Sequence, residues 1–168
     1  MPQRDRVDQM LADWQRELPT VVSRELGVVK RVGRLAALIE SATAAVLAPH
    51  GITYAEFDVL ATLRREPPPH ELQPRDLAVR ASLTTGGISN IVKRLAEAGL
   101  VERRPHEGDR RATVVRLSPE GKRTTEAVAL ATREAHRQLF RGASSGQVRD
   151  LDRLLREVLS EVDDPTSR

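Results

Sequence analysis

The chain contains no cysteine. Disulfides, thiolate zinc sites and thiol-based oxidant sensing are therefore excluded. Aromatic residues are almost as scarce, with only Trp14, Tyr54, Phe57 and Phe140 among 168 residues. Single strands of nucleic acid are bound on aromatic platforms beside a basic groove. None of these four lies in the basic part of the chain, which disfavours that mode. No apolar run approaches the roughly 20 residues of a membrane helix, and the N-terminus is charged rather than signal-like. The expectation is a soluble, cytoplasmic protein with no membrane partner. His50, His70, His106 and His136 show no ligand spacing, so no metal is expected. His136 could pair with a carboxylate, but each histidine is expected to be solvated. No nucleophile lies beside a base, no carboxylates pair in an apolar setting, and no glycine-rich phosphate loop is present. Neither an enzyme nor a cofactor is expected.

Charge is abundant but unevenly placed. The apolar fraction is 39% and the charged fraction 30%, a balance that suits an elongated helical chain whose core a second subunit completes. The formal net charge is +3, and residues 74–117 hold nine Arg or Lys against five Asp or Glu, a net of +4. Residues 1–73 carry nine against ten, and residues 118–168 nine against nine. The whole basic excess thus falls on one stretch, the footprint of a phosphate-binding face.

That stretch has its own pattern. Thr84 or Thr85 is placed to cap a helix, and Ile88, Ile91, Val92, Leu95 and Ala98 follow at helical spacing. Ser89, Asn90, Lys93, Arg94 and Glu97 fall on the opposite face. Gly99 sits where a left-handed residue ends a helix. Val101–Arg104 and Thr113–Leu117 read as two short strands joined by a charged loop. Helix, stop and basic-tipped hairpin make a winged helix-turn-helix, with the helix in a major groove and the wing at phosphates or a minor groove.

On the reading helix the candidate DNA contacts are Thr84, Thr85, Gly86, Ser89, Asn90, Lys93 and Arg94. Gly86 and Gly87 each weaken a helix by roughly 1 kcal/mol against Ala, a cost that close backbone approach to DNA would explain. Ser89 and Asn90 can bond base edges. Arg103 and Arg104 alternate along a strand, so one faces DNA or solvent and the other the helices.

Helices flank the module. Residues 4 to about 18 place Val7, Met10 or Leu11, Trp14 and Leu18 on one face, and Pro19 ends that helix. A long helix follows from about Val21 to Leu47, with Val28, Val32, Leu35, Ile39, Ala42 and Val46 at near-heptad spacing. Thr53 to Glu56 is a capping box opening a helix to about Glu66 that buries Phe57, Leu60 and Leu63. Pro74 opens a short helix through Arg80, the first of the helix-turn-helix. Ser118-Pro119 starts a helix through Val128, Ala131, Ala135 and Leu139, which Gly142 ends. Ser144 to Gln147 is a second capping box, opening a helix with Val148, Leu151, Leu154, Leu155, Val158, Leu159 and Val162 on one stripe. The expected class is mostly α with a small β-hairpin wing. Its parts are dimerisation helices at 1–48, the winged helix-turn-helix at 49–117 and further dimerisation helices at 118–168.

Phe57-Asp58-Val59-Leu60, Gly99-Leu100-Val101-Glu102-Arg103-Arg104, Asp109-Arg110-Arg111 and Leu117-Ser118-Pro119-Glu120-Gly121 resemble the MarR (multiple antibiotic resistance regulator) family over about residues 28 to 162. The resemblance implies a homodimeric, ligand-responsive repressor of double-stranded DNA with a near-palindromic operator, whose terminal helices interlock between subunits. It implies that Arg111 enters the minor groove while Asp109 holds it, with Arg110 and Arg104 nearby on DNA. Trp14, Asp58 and Arg103 match three of the four ligand positions of the family's urate-responsive branch. The fourth, an Arg there, is Ile91 here. That removes the bidentate partner for an anionic purine and leaves a small aromatic or carboxylate effector. Against ligand binding stands a structural role, Trp14 as a packing lock and Asp58 paired with an Arg. The alternative for the whole chain is a winged-helix interaction protein that has lost specific DNA binding.

Overall fold

In the computed structural model, residues 4–81, 83–105 and 113–163 are described. Seven helices run in the order α1 (Arg6–Glu17), α2 (Arg24–Leu47), α3 (Tyr54–Arg65), α4 (Pro74–Arg80), α5 (Thr85–Glu97), α6 (Pro119–Leu139) and α7 (Ser145–Asp163). Three strands, β1 (Glu71–Leu72), β2 (Val101–Pro105) and β3 (Thr113–Leu117), form an antiparallel sheet in the order β1-β3-β2. The fold is the expected one, a winged helix-turn-helix between helical flanks.

The ends of the elements follow from their caps. Thr53 Oγ1 accepts from Glu56 N–H while Glu56 Oε2 accepts from Thr53 N–H at 2.7 Å, the reciprocal box the sequence implies. Ser144 and Gln147 repeat the arrangement before α7. Thr84, rather than Thr85, caps α5 by accepting from Gly87 N–H at 3.2 Å. Gly99 closes that helix at φ 71°, a conformation an L side chain rarely adopts. The long helix starts at Arg24, three residues later than the apolar spacing alone implies. Pro19–Val21 form a 3₁₀ turn, and Ser23 is the cap, accepting from Leu26 N–H at 3.1 Å.

One core holds α3, α4 and α5 against the sheet and α6. Val59, Leu60, Leu63, Leu77, Ile88, Leu95, Val115 and Val128 are buried in it. At the front, α1 docks on α2 through Val7 and an ionic hook. Arg31 binds Asp5 at 2.9 Å and Asp8 at 2.6 Å, and its guanidinium holds the Asp5 carboxyl below the usual range.

Several sequence expectations need correction. The wing has a third strand, with Glu71 and Leu72 pairing Arg116 and Val115. Two residues are too short for a periodic signal. Helix α6 buries Gly121, Thr125, Val128 and Thr132, while Ala131 is exposed. It ends at Leu139 under Phe140, without a left-handed Gly142. Two histidines are bonded rather than solvated. The His136 ring nitrogen Nε2 lies 2.9 Å from Oγ1 of buried Thr43, and His70 Nδ1 lies 2.7 Å from the Glu66 carbonyl. One stretch, Arg24–His50, is also long and apolar enough to cross a membrane by length and composition, at a mean hydropathy of 1.3. Of the six charges in that stretch four precede Gly33, and only Arg34 and Glu40 follow it.

The joint between α5, β2 and α6 is tight. Ser118 Oγ donates to the Gly99 carbonyl at 2.7 Å and accepts from Gly121 N–H at 2.9 Å, and Ser118 N–H donates to the Leu100 carbonyl at 3.1 Å. A Cβ at Gly121 would overlap the Leu100 carbonyl oxygen, which is backbone and cannot move aside. Gly121→Ala is therefore expected to cost about 3 kcal/mol, the upper end of overpacking, read as a lowered midpoint in urea. An unchanged midpoint would mean that the two backbones are free to part.

Candidate nucleic-acid interface

Helix α5 buries Ile88, Ile91, Val92 and Leu95 and leaves Thr84, Gly86, Ser89, Asn90, Lys93 and Arg94 exposed. Thr85 is its first residue. One face is therefore committed to the core and the other is polar and open, with the N-terminal turn foremost. Nothing lies within 4 Å of a Cβ built on Gly86, whereas one on Gly87 would meet Thr84 Oγ1 at 3.1 Å. The two glycines thus differ. Gly87 makes room for the cap, and Gly86 keeps the outer surface of the first turn bare.

The alternation of Arg103 and Arg104 is resolved by register. Arg103 pairs across the sheet with buried Val115, on the core side, and its guanidinium reaches the Ser89 carbonyl on α5 at 3.5 Å. Arg104 lies on the other face, where Glu102 Oε2 accepts from its Nε at 2.7 Å. Lys93 makes only a loose pair with Glu97, at 3.9 Å. Arg94 is held more firmly, its Nε lying 3.0 Å from Glu56 Oε1. Asp109, Arg110 and Arg111 lie outside the described residues.

The residues matched to ligand positions are not joined in this chain. Trp14 is on α1 at 42% exposure, Asp58 is half-buried on α3, and Arg103 leans on α5. No hydrogen bond or ion pair links any two of them among the described residues. Asp58 has no ion-pair partner among the described residues. Ile91, in the fourth position, is a core residue at 7% exposure.

A cavity of about 700 Å³ lies instead between α3 and α6. Phe57, Ala61, Ala129 and Leu130 give it an apolar wall, and the Arg64–Glu126 ion pair, at 2.7 Å, crosses between the two helices. Thr132 lines it too. Its hydroxyl is buried and has no hydrogen-bond partner among the described residues. Sequence reasoning missed this site because Thr132 lies on what reads as a polar side of α6.

Comparison with known proteins agrees with this architecture. Residues 50–112 match the MarR family. PecS, an HTH-type transcriptional regulator of Dickeya dadantii (strain 3937), is 30% identical over 115 residues, covering 68% of this chain and 69% of PecS. The chain belongs to the MarR family. The multiple antibiotic resistance protein MarR of Escherichia coli (strain K12) is 31% identical over 114 residues, covering 67% of this chain and 77% of that protein. A MarR family regulator of Streptomyces coelicolor, solved in complex with DNA, matches the fold with a TM-score of 0.71 at 25% identity, over 87% of this chain and 92% of its own. This MarR-family protein is accordingly a DNA-binding transcription regulator and not an enzyme.

The contrast between the two glycines gives a test. Gly86→Ala should raise thermal stability, by up to about 1 kcal/mol in the helix, and at the same time weaken DNA binding. A variant that is more stable and binds DNA unchanged would show that backbone does not approach DNA at Gly86.

Proposed function

We propose that this regulator is a homodimeric repressor that reads a near-palindromic operator and releases it on binding a small ligand. The observation that carries the dimer is α7. Among its residues none is buried, and Leu154, Val158, Leu159 and Val162 are 51%, 60%, 55% and 63% exposed. Val28 and Val32 on α2 are similarly open, at 60% and 45%. The chain alone exposes 12299 Å², whereas a compact monomer of this mass exposes about 8200 Å². An excess of that size is what an interlocked second copy removes. Two α5 helices would then sit about 34 Å apart, one turn of B-DNA.

The DNA contacts proposed are Thr84, Thr85, Gly86, Ser89, Asn90 and Lys93 on α5, with Arg104, Asp109, Arg110 and Arg111 on the wing. The exposed polar face of α5 and the basic excess at 74–117 support this set. A cytoplasmic location follows from the same reading, since the operator is there. The effector is assigned to the cavity between α3 and α6, where an apolar body fits Phe57 and Leu130 and a carboxylate lies beside Arg64. Trp14, Asp58 and Arg103 then stand outside the effector site.

Selection of duplexes from random sequences by the full-length protein tests the reading, with fluorescence anisotropy of the selected duplex. Val158→Asp should sediment as a monomer and lose that duplex; a dimeric Val158→Asp would remove α7 from the interface. Small aromatic and carboxylate compounds that release the duplex should act on Leu130→Glu only at about tenfold or higher concentration, roughly 1.4 kcal/mol of lost apolar contact. Equal response of both proteins would place the effector elsewhere.

A further inference from the structure

Lys93 and Arg94 are neighbouring cations on the reading helix, and both side chains are more than half exposed, at 71% and 57%. Their surroundings are nonetheless different. Among the described residues Lys93 has only Glu97, at 3.9 Å, and is available to a phosphate. Arg94 reaches back to α3 as an ion pair, its Nε 3.0 Å from Glu56 Oε1. The Glu56 side chain is only 8% exposed. Its other oxygen, Oε2, accepts from Thr53 N–H at 2.7 Å and Thr53 Oγ1–H at 2.8 Å. A carboxylate so buried is tolerated when its charge is paired and its lone pairs are filled, and Arg94 supplies the charge.

We propose that Arg94 is a positioning residue for DNA reading. Its ion pair with Glu56 fixes the tilt of α5 against α3, and so the direction in which Ser89 and Asn90 meet base edges. The apolar stripe of α5 sets how deeply the helix sits in the core. The ion pair adds a tie outside that stripe, to a carboxylate that Thr53 already holds in place. It acts five residues along the helix from Ser89, so a small change of tilt there moves the reading end. The inference rests on α5 being the DNA-reading helix.

The deciding variant is Glu56→Gln. Gln serves a capping box as Glu does, so α3 keeps its start while Arg94 loses its charged partner and is set free. The assay is anisotropy of the full-length protein with the duplex it selects, against a scrambled duplex of equal length, over a range of salt. If Arg94 positions α5, Glu56→Gln weakens the selected duplex about tenfold, leaves the scrambled one within about twofold, and keeps the salt slope. Glu56→Gln, Arg94→Gln and the double variant then lower the ratio of the two affinities by a similar factor, because each removes the same tie. Lys93→Gln behaves differently, weakening both duplexes and reducing the slope by about 0.9. If Glu56→Gln binds the selected duplex as well as the parent or better, with a steeper slope, Arg94 is a phosphate contact and the proposal fails. Should Glu56→Gln not fold, the double variant, which leaves no buried charge unpaired, carries the decision. Lost selectivity at an unchanged slope supports positioning, and a slope reduced by about 0.9 overturns it. Failure of the parent protein to select any duplex would instead sink the reading of α5 itself, which separates the two results.

Discussion

The seating of α6 on the Gly99–Leu100 turn is the constraint on which the other parts depend. Ser118 is at once the cap of α6, a donor to the carbonyl that ends α5 and the backbone partner of Leu100. Gly121 brings the α6 backbone against the Leu100 carbonyl with no side chain between them. Reading helix, wing and long flanking helix therefore meet at one joint made of backbone. Backbone contacts do not relax by changing rotamer, so displacement of α6 must displace α5 or break the joint. The cavity beside Thr132 lies along the same α6, against α3. A ligand there would press on the two helices between which α5 is held, by α6 at its end and by Glu56 of α3 along its length. If the proposed effector binds there, a small shift would be passed on through these packed contacts.

The elements whose ends are chemically marked were legible in the sequence. Thr53 with Glu56, Ser144 with Gln147, Pro74, Ser118-Pro119 and Gly99 all stand where their chemistry puts them. The misreadings share a cause. Threonine counts as polar in a periodicity argument, yet Thr125 Oγ1 donates to the Gly121 carbonyl and Thr43 Oγ1 to that of Ile39, four residues back. A hydroxyl satisfied by its own helix, as that of Thr125 is, can be buried, and α6 buries Thr132 as well, so its inner face lies one position from the one the apolar spacing marks. The short β1 carries no periodic signal because its pairing is supplied by β3. Of the interface, the polar face of α5 could be read residue by residue. Which cations are tied could not, since Glu56 is remote in sequence from Arg94 and already accounted for as a cap.

Counting basic residues overstates what such a face offers to DNA. Within 74–117 the described part already ties Arg80 to Glu66, Arg94 to Glu56, Arg104 to Glu102 and Arg116 to Glu71. Exposed pairs of this kind are weak, typically below about 1 kcal/mol, and Arg104 can exchange Glu102 for a phosphate. The pairs with Glu56, Glu66 and Glu71 are different, because all three carboxylates are largely buried and would be left as uncompensated charges. Arg80, Arg94 and Arg116 are thus tied to the scaffold, and as cations they also raise the local potential that attracts DNA.

The chain by itself also leaves much apolar surface uncovered. Its buried cluster draws on α3, α4, α5, the sheet and only single faces of α2 and α6, while α7 contributes nothing to it. The stretch Arg24–His50, which has the length and hydropathy of a membrane span, belongs to the same surplus. Its residues grade from exposed Val28 and Val32 to half-buried Leu35, Ile39 and Val46, as expected of a helix that enters its own core at one end and needs foreign cover at the other. If a second copy supplies that cover, folding and association are one equilibrium, and stability depends on protomer concentration. The distance between two reading helices is then set by the same contacts that stabilise the chain. An operator measures that distance, so a ligand that shifts α6 would be read both as a change in the dimer and as a loss of fit to DNA.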